Sequence, residues 1–213
     1  MENILSNKIL RINPHALTYY SAPPNWWWFN PLDQKIKIIF IKEFLKKHAL
    51  YKSFYGGNWD INATYFDETH WFVRIKDFKK NIKKIDSSLW YKLIMKEINS
   101  KGFYIHKKTL IRNEKEVINF FENYLMSLID SLSKNKFVIE NEDDMPQVLI
   151  GRNGQLIKSA HGCHRLAIIK LFNIKCDFPI KIIGVHKKCK LKDKKKLDNF
   201  DEIYNYVRLN YSI

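Results

Sequence analysis

The chain has 213 residues, of which 46% are hydrophobic and 15% aromatic, enough to bury a sizeable core in one domain with room for an insertion. Its formal net charge of +15 favours anionic partners such as nucleotides, nucleic acid or an acidic membrane surface. Three cysteines without a Cys-x-x-Cys spacing argue against a disulfide framework, and no apolar run reaches the length of a membrane span. We therefore expect a cytoplasmic protein with no transmembrane segment and no signal peptide.

Residues 1–50 are predicted to form an aromatic, partly helical N-terminal extension. Proline and asparagine surround Trp26, Trp27 and Trp28, which indicates an irregular segment. We expect some of these tryptophans to pack on the core, and the alternative is that they stack on a sugar or a base. The segment 33–50 has apolar residues at helical spacing opposite several lysines, so it predicts a basic amphipathic helix. Such a helix either docks on its own domain or makes a peripheral contact with a membrane.

The middle of the chain predicts a short strand and two helices. Residues 51–61 indicate a strand that breaks at a Gly-Gly turn. Residues 89–103 favour a helix that ends at Gly102, and 104–111 favour an extended conformation. The clearest helix is 113–135, because its first residue is an asparagine suited to capping and its apolar residues line one face.

The last third of the chain predicts a hairpin, a helix and a final strand. The apolar run 146–151 leads through an Arg-Asn-Gly turn into a return strand at 155–162. A helix from about 164 to 172 and a strand at 178–186 follow, and 191–213 is a basic tail.

Four residues that open this last helix, Gly162, Cys163, His164 and Arg165, form the strongest candidate for a functional site. Glycine lets a ligand approach the backbone, and the first-turn N–H groups of a helix attract anions. Arg165 and His164 add donors for a phosphate, whereas a thiol at a helix N-terminus is a potential nucleophile. On spacing alone, a phosphate site, a reactive thiolate and an ordinary capped helix all stay open.

The segment 146–186 resembles the core of the ParB/sulfiredoxin superfamily, whose signature is Gly-x-x-Arg at a helix start followed by a lone strand. Gly162–Arg165 match the Gly-Cys-His-Arg box of sulfiredoxins. The wider context is more similar to ParB-like nuclease-domain proteins with a Gly-x-His-Arg-Leu-Ala-Ile box. In that group an Arg-x-Gly hairpin precedes the box (here Arg152), a histidine ends the last strand (His186), and a Gly-x-Trp-Asp turn lies upstream (57–60).

The resemblance implies an α+β fold with a ParB/sulfiredoxin-like core, a small mixed sheet with helices, over residues 51–190. An insertion at about 62–112 would interrupt this core and is a candidate substrate-binding or partner region. A largely helical region, 1–50, would precede the core, and the basic tail 191–213 would follow it.

The resemblance also implies nucleotide chemistry, because superfamily members include ParB, which binds and hydrolyses CTP, and archaeal free-serine kinases. We expect a kinase-like phosphotransferase or nucleotide hydrolase that uses ATP or CTP with Mg²⁺. Its acceptor would be a small molecule or a glycan precursor. Gly162–Arg165 would hold the phosphates, with Arg152 and His186 as additional contacts.

Carboxylates are the residues suited to metal binding and general-base catalysis, and the sequence offers four candidates. Asp60 is the leading candidate for the base or for a Mg²⁺ ligand, and Glu140 is its rival for the metal. Asp143 and Asp144 lie in the same acidic linker as Glu140 and are further candidates.

Two alternatives belong to other functional classes. A ParB-like DNA-binding or nuclease protein would account for the positive charge, although no helix-turn-helix is evident after residue 186. A sulfiredoxin-like cysteine sulfinic acid reductase would use Cys163 as its nucleophile. The chain is much longer than a sulfiredoxin, and it lacks a convincing match to that family's upstream nucleotide-contacting segment.

Overall fold

The computed structural model describes residues 9–22, 54–106, 109–135, 137–139, 144–190 and 200–212. It has the expected mixed α+β architecture and divides into two compact units. Unit 1 comprises Met1–Phe66, Ile139–Gly162 and Asp177–Ile213, and unit 2 comprises Asp67–Val138 and Cys163–Cys176. Trp26, Trp27, Trp28 and the predicted helix 33–50 lie outside the described residues.

Unit 1 contains a mixed sheet of seven described strands. The strands are β1 (Leu10–Ile12), β2 (Tyr19–Tyr20), β3 (Phe54–Tyr55), β4 (Thr64–Tyr65), β7 (Gln147–Ile150), β8 (Leu156–Lys158) and β9 (Phe178–His186). Their order is β1-β9-β7-β8-β2-β4, and β3 also pairs with β9. The pairs β3–β9, β7–β9 and β2–β8 are parallel, whereas β1–β9, β7–β8 and β2–β4 are antiparallel.

The centre of the sheet is built from the strands that the sequence predicted after residue 146. Strands β7 and β9 are almost continuously apolar and buried, which suits central strands. The β7–β8 hairpin closes through Gly154, whose φ of +76° is in the left-handed region. A Cβ at Gly154 would also lie 2.5 Å from the hydroxyl of Tyr206, so a larger residue has no room there.

Unit 2 is mainly helical. Its elements are α1 (His70–Lys80), α2 (Leu89–Lys101), the hairpin β5 (Tyr104–His106) and β6 (Thr109–Ile111), α3 (Glu114–Phe120), a π-helical segment (Phe121–Met126), α4 (Ser127–Asn135) and α5 (Cys163–Phe172). Aromatic rings form the centre of its core: Phe78 stacks on Phe121 at 5.4 Å between centroids, and Trp90 meets Phe121 edge-on at 5.6 Å.

Local capping explains where the predicted helices begin and end. Asn113 is the predicted N-cap of α3, and its Oδ1 accepts a hydrogen bond from the backbone N–H of Glu116 at 3.0 Å. Gly102 ends α2 in the left-handed conformation, with φ at +82°. Both predictions are confirmed, as are the hairpin at 147–158, the helix at 163–172 and the strand at 178–186.

The two ends of the chain contribute more to the fold than an extension and a tail. Strands β1 and β2 belong to the sheet, and the C-terminal residues form helix α6 (Phe200–Tyr211). This helix is tied to the N-terminal region, because the backbone N–H of Asn13 donates to the carbonyl of Tyr211 at 3.0 Å. Among the described residues, no helix has the length and hydropathy needed to span a membrane.

Replacement of Gly102 by alanine should lower the free energy of unfolding by about 1 kcal/mol, because alanine must adopt a positive φ. A Cβ at this position would meet no atom within 4 Å, so the cost is purely conformational. Asparagine tolerates this conformation better, and Gly102→Asn should cost less. Urea denaturation measures all three proteins; equal stability of wild type and Gly102→Ala would contradict the helix end described above.

Candidate functional site

The carboxyl ends of three parallel strands bring together the turn, the hairpin and the histidine noted in the sequence. Strands β3, β9 and β7 are parallel neighbours: Val185 of β9 pairs with Phe54 of β3 and with Ile150 of β7. The turn 56–60 follows β3, Arg152 follows β7, and His186 is the last residue of β9. In open α/β sheets this edge is where ligands commonly bind.

Arg152 and Asp60 form a buried, bidentate ion pair at this edge. Nε of Arg152 donates to Oδ2 of Asp60 at 2.9 Å, and Nη2 donates to Oδ1 at 2.8 Å. The backbone N–H of Arg152 donates to Oδ2 at 2.8 Å as well. The side chain of Asp60 is 0% exposed and that of Arg152 is 24% exposed. The pair therefore locks the turn 56–60 onto the hairpin.

Burial by itself would raise the pKa of Asp60. Hydrogen bonds from the side chain and backbone of Arg152, together with the charge of Arg152, outweigh burial and hold this pKa below its ordinary value of 3.8. Asp60 is thus a carboxylate whose two oxygens are both committed to Arg152.

His186 completes the cluster in a defined tautomer. Its Nδ1 accepts a hydrogen bond from the backbone N–H of Lys188 at 3.0 Å, so the ring proton lies on Nε2. Nε2 then donates to the carbonyl of Gly57 at 3.0 Å, and Nη2 of Arg152 donates to the same carbonyl at 3.0 Å. Both basic side chains hold the turn through one backbone oxygen.

This geometry bears on the roles expected of Asp60. A general base needs an oxygen that can accept a substrate proton, and Mg²⁺ needs open carboxylate oxygens. With both oxygens bound to Arg152 and no exposed area, Asp60 fits neither requirement in this arrangement. No group of three or more His, Cys, Asp or Glu among the described residues is placed to hold a metal ion. Glu140 and Asp143 lie outside the described residues, and Asp144 is exposed.

A second polar feature of unit 1 is the loop 159–162, at the other end of the β7–β8 hairpin. Lys158 ends β8 and is 0% exposed. Its Nζ donates to four carbonyl oxygens. Those of Gln147, Ser159 and Ala160 lie at 3.3, 2.8 and 2.7 Å, and the fourth belongs to His161. The loop is therefore folded around a buried ammonium.

This arrangement fixes where the amides of the loop point. Within a trans peptide the N–H is antiparallel to the carbonyl, and the chain contains no cis peptide bond among its described residues. Because the carbonyls of residues 159–161 turn toward the ammonium, the N–H groups of residues 160–162 turn away from it. His161 and Gly162 have positive φ values of +55° and +67°, and His161 is exposed. The peptide dipoles of the loop thus have their amide ends directed away from the ammonium, an orientation that anion sites also use.

The candidate box Gly162–Arg165 spans the division between the units. Gly162 belongs to unit 1, where a Cβ would lie 2.6 Å from Cγ of Pro146. Cys163 begins α5 in unit 2 and is 8% exposed. The ring of His164 stacks on Trp90, with centroids 5.3 Å apart and planes 11° apart.

Arg165 has a distinctive environment in unit 2. Its guanidinium lies over the ring of Phe137, with Cζ 5.0 Å from the ring centroid. It forms no hydrogen bond or ion pair with another described residue. Residue Arg165 is half-buried, and the ring of Phe137 holds its guanidinium in place. The N–H groups of this guanidinium can therefore form a bidentate pair with a carboxylate or a phosphate.

The two groups of predicted site residues do not form one cluster. Arg152 lies in the turn of the β7–β8 hairpin, whereas Gly162 contacts Pro146, which precedes β7. Pro146 and Arg152 lie beyond opposite ends of β7, whose four residues alone span about 10 Å at the usual strand rise. Sequence reasoning missed Lys158, although a lysine inside the apolar strand pattern 155–160 was a visible signal.

Comparison with known proteins gives no match: no protein-family model, no curated protein and no solved structure matches the chain. The function proposed below therefore depends on the geometry of the described residues and on the resemblance of residues 146–186.

Replacement of Asp60 by asparagine should lower the free energy of unfolding at pH 7 by about 2 kcal/mol, because a partly buried Arg152 loses its charged partner. The folded pKa of Asp60 lies below its unfolded value of 3.8, so the ion pair contributes fully above that value and is lost as the pH falls through the folded pKa. The difference in unfolding free energy between wild type and Asp60→Asn should therefore decrease as the pH falls below about 4.

Asp130→Asn provides the control, because Asp130 is 59% exposed and pairs with Lys134 within one helix. This replacement should change stability by less than about 0.5 kcal/mol. Urea denaturation at several pH values measures both variants. A stability gap for Asp60→Asn that is the same at neutral and acid pH would show that the carboxylate is not the group that holds Arg152.

Proposed function

We propose that the chain binds a nucleoside triphosphate, ATP or CTP, with its phosphates against the loop 159–162 of unit 1, and that it transfers or hydrolyses the terminal phosphate. The observation that carries the proposal is the buried ammonium of Lys158, which turns the carbonyls of the loop inward and its amides outward. A positive charge below and several amide donors above are what a phosphate needs.

Within unit 2, Arg165 is the residue of the box that is best suited to bind a phosphate. A guanidinium that stacks on Phe137 has little freedom left to lose, so less entropy is lost when it forms a bidentate bond to a phosphate. Gly162 allows the positive φ and the close contact with Pro146 that shape the loop, and the amides of the first turn of α5 follow directly in the chain. The ring of His164 is stacked on Trp90, so we assign it a supporting role for the segment.

The same geometry gives less support to thiol chemistry at Cys163 and to direct catalysis by Asp60. A reductase with Cys163 as nucleophile requires a thiol that reaches a protein substrate, and Cys163 is buried. We assign Asp60 to positioning Arg152, because its oxygens are committed and the box lies at the other end of the hairpin. Mg²⁺ would neutralise charge on the phosphates when bound, but the described carboxylates do not form a site that fits it.

Calorimetry with ATP and with CTP, in the presence of Mg²⁺, tests the proposal. Arg165→Ala should weaken binding of the favoured nucleotide by roughly tenfold to a hundredfold, because a charge-assisted bond to phosphate is lost. Arg208→Ala is the matched control: it removes the same charge from an exposed position on α6 and should leave the affinity unchanged.

Other outcomes would redirect or reject the proposal. If neither nucleotide binds the wild-type protein with Mg²⁺ present, nucleotide chemistry is excluded. A salt-dependent shift of DNA that nucleotides do not affect would favour a nucleic-acid-binding protein. Loss of an activity in Cys163→Ser, with Arg165→Ala unaffected, would favour thiol chemistry.

A further inference from the structure

Unit 2 contains a cavity of about 310 Å³ between the β5–β6 hairpin and one face of the helix that starts at Glu114. Its size is in the range of small-molecule sites. One wall is the described part of the hairpin, and the other is the face formed by α3 and the π-helical segment. The hairpin wall lies in the segment that the sequence indicated as an insertion, about 62–112, whereas the helical wall lies after it. Neither the loop 159–162 nor the ion pair of Asp60 and Arg152 contributes lining residues.

The helical wall combines polar and aromatic residues on a single stripe. Residues 116, 119, 120, 123 and 124 recur at intervals of three and four, so their side chains share one face. A helix face that serves only for packing is apolar. The face that lines the cavity differs, because Asn119 and Asn123 at its centre are polar and exposed. Glu116 is already used in capping, since its Oε2 accepts the backbone N–H of Arg112 at 2.8 Å.

The two carboxamides define the hydrogen bonds that a ligand would make. Nδ2 of Asn123 donates to Oδ1 of Asn119. This bond leaves the amide hydrogens of Asn119 and the carbonyl of Asn123 as an adjacent donor and acceptor on one wall. A ligand with an acceptor and a donor on one edge satisfies both.

Aromatic side chains supply a flat surface beside these amides. Tyr124 is half-buried and stacks on Phe120, with centroids 5.2 Å apart and planes 18° apart. The ring of His106 lies 5.1 Å from that of Tyr124 and tilts by 56°. Such a surface favours a ring whose face can stack on it.

Glu116 is the one carboxylate among the described residues that line the cavity. Both of its oxygens already accept hydrogen bonds at the helix start, from the backbone N–H of Arg112 and from Nδ2 of Asn113. Asn123 and Tyr124 belong to the π-helical segment, and such segments are frequent at functional sites. The segment is therefore a second indication that this cavity binds a ligand.

We propose that this cavity binds a ring compound with a hydrogen-bond donor and acceptor on one edge, the chemistry shared by nucleosides and monosaccharides. This site is additional to the nucleotide site proposed above and does not depend on it.

Saturation-transfer NMR and calorimetry test the cavity on the full chain without nucleotide or Mg²⁺. The probes are adenosine, cytidine, D-glucose and N-acetyl-D-glucosamine. We expect binding of one of the two classes, and the class that binds identifies the source of the ring. Asn119→Ala and Asn123→Ala should each weaken that binding by about fivefold or more, since each removes one hydrogen-bond partner.

Asn99→Ala is the matched control, because Asn99 is an exposed asparagine of α2 that does not line the cavity. It should leave probe binding unchanged. All three variants replace exposed residues, so their melting temperatures should match wild type. The proposal is wrong if no probe binds at millimolar concentration, or if binding survives in the Asn119→Ala/Asn123→Ala double variant. The affinity for ATP should not change in these variants, so the experiments can reject the cavity proposal and the nucleotide proposal independently.

Discussion

The buried ammonium of Lys158 is the interaction on which the candidate phosphate site depends. Removing an ammonium from water costs several kcal/mol unless hydrogen bonds replace its hydration. Four carbonyl oxygens provide that replacement, and three of them belong to consecutive residues of the loop after β8. A loop conformation that turned these carbonyls outward would break these hydrogen bonds to the ammonium. The amides are consequently held outward before any ligand arrives, as preorganised anion sites require.

The ion pair of Asp60 and Arg152 stabilises the contact between two segments that are remote in sequence. It joins the turn after β3 to the hairpin after β7, and His186 fastens the same turn from β9. These three residues mark the carboxyl edge of the parallel strands, whereas the loop 159–162 lies at the opposite end of the hairpin. A mechanism that requires Asp60 to act directly on a phosphate at Gly162 does not fit this arrangement.

Local sequence signals predicted the elements whose causes are local. Asn113 marks a helix start because its side chain caps the first turn, and Gly102 marks a helix end because glycine readily adopts the left-handed conformation. The apolar run of β7 returns through a short hairpin. Strands β1 and β2 were not predicted, since three- and two-residue strands carry little pattern of their own. Leu10 pairs with Ile180, a partner that no local window can reveal. The cavity in unit 2 was equally hidden, because Asn119 and Asn123 on a helical face have the pattern of an ordinary exposed surface.

Backbone amide chemical shifts provide the most direct test of the site, because they report on the N–H groups that the buried ammonium turns outward. Titration of the ¹⁵N-labelled chain with ATP or CTP should move the amide signals of Ala160, His161, Gly162 and Cys163 together and saturably. Amides of the β5–β6 hairpin should not move with them. Saturable shifts confined to other parts of the chain, with the 160–163 signals unchanged, would contradict the assignment of the phosphates to this loop.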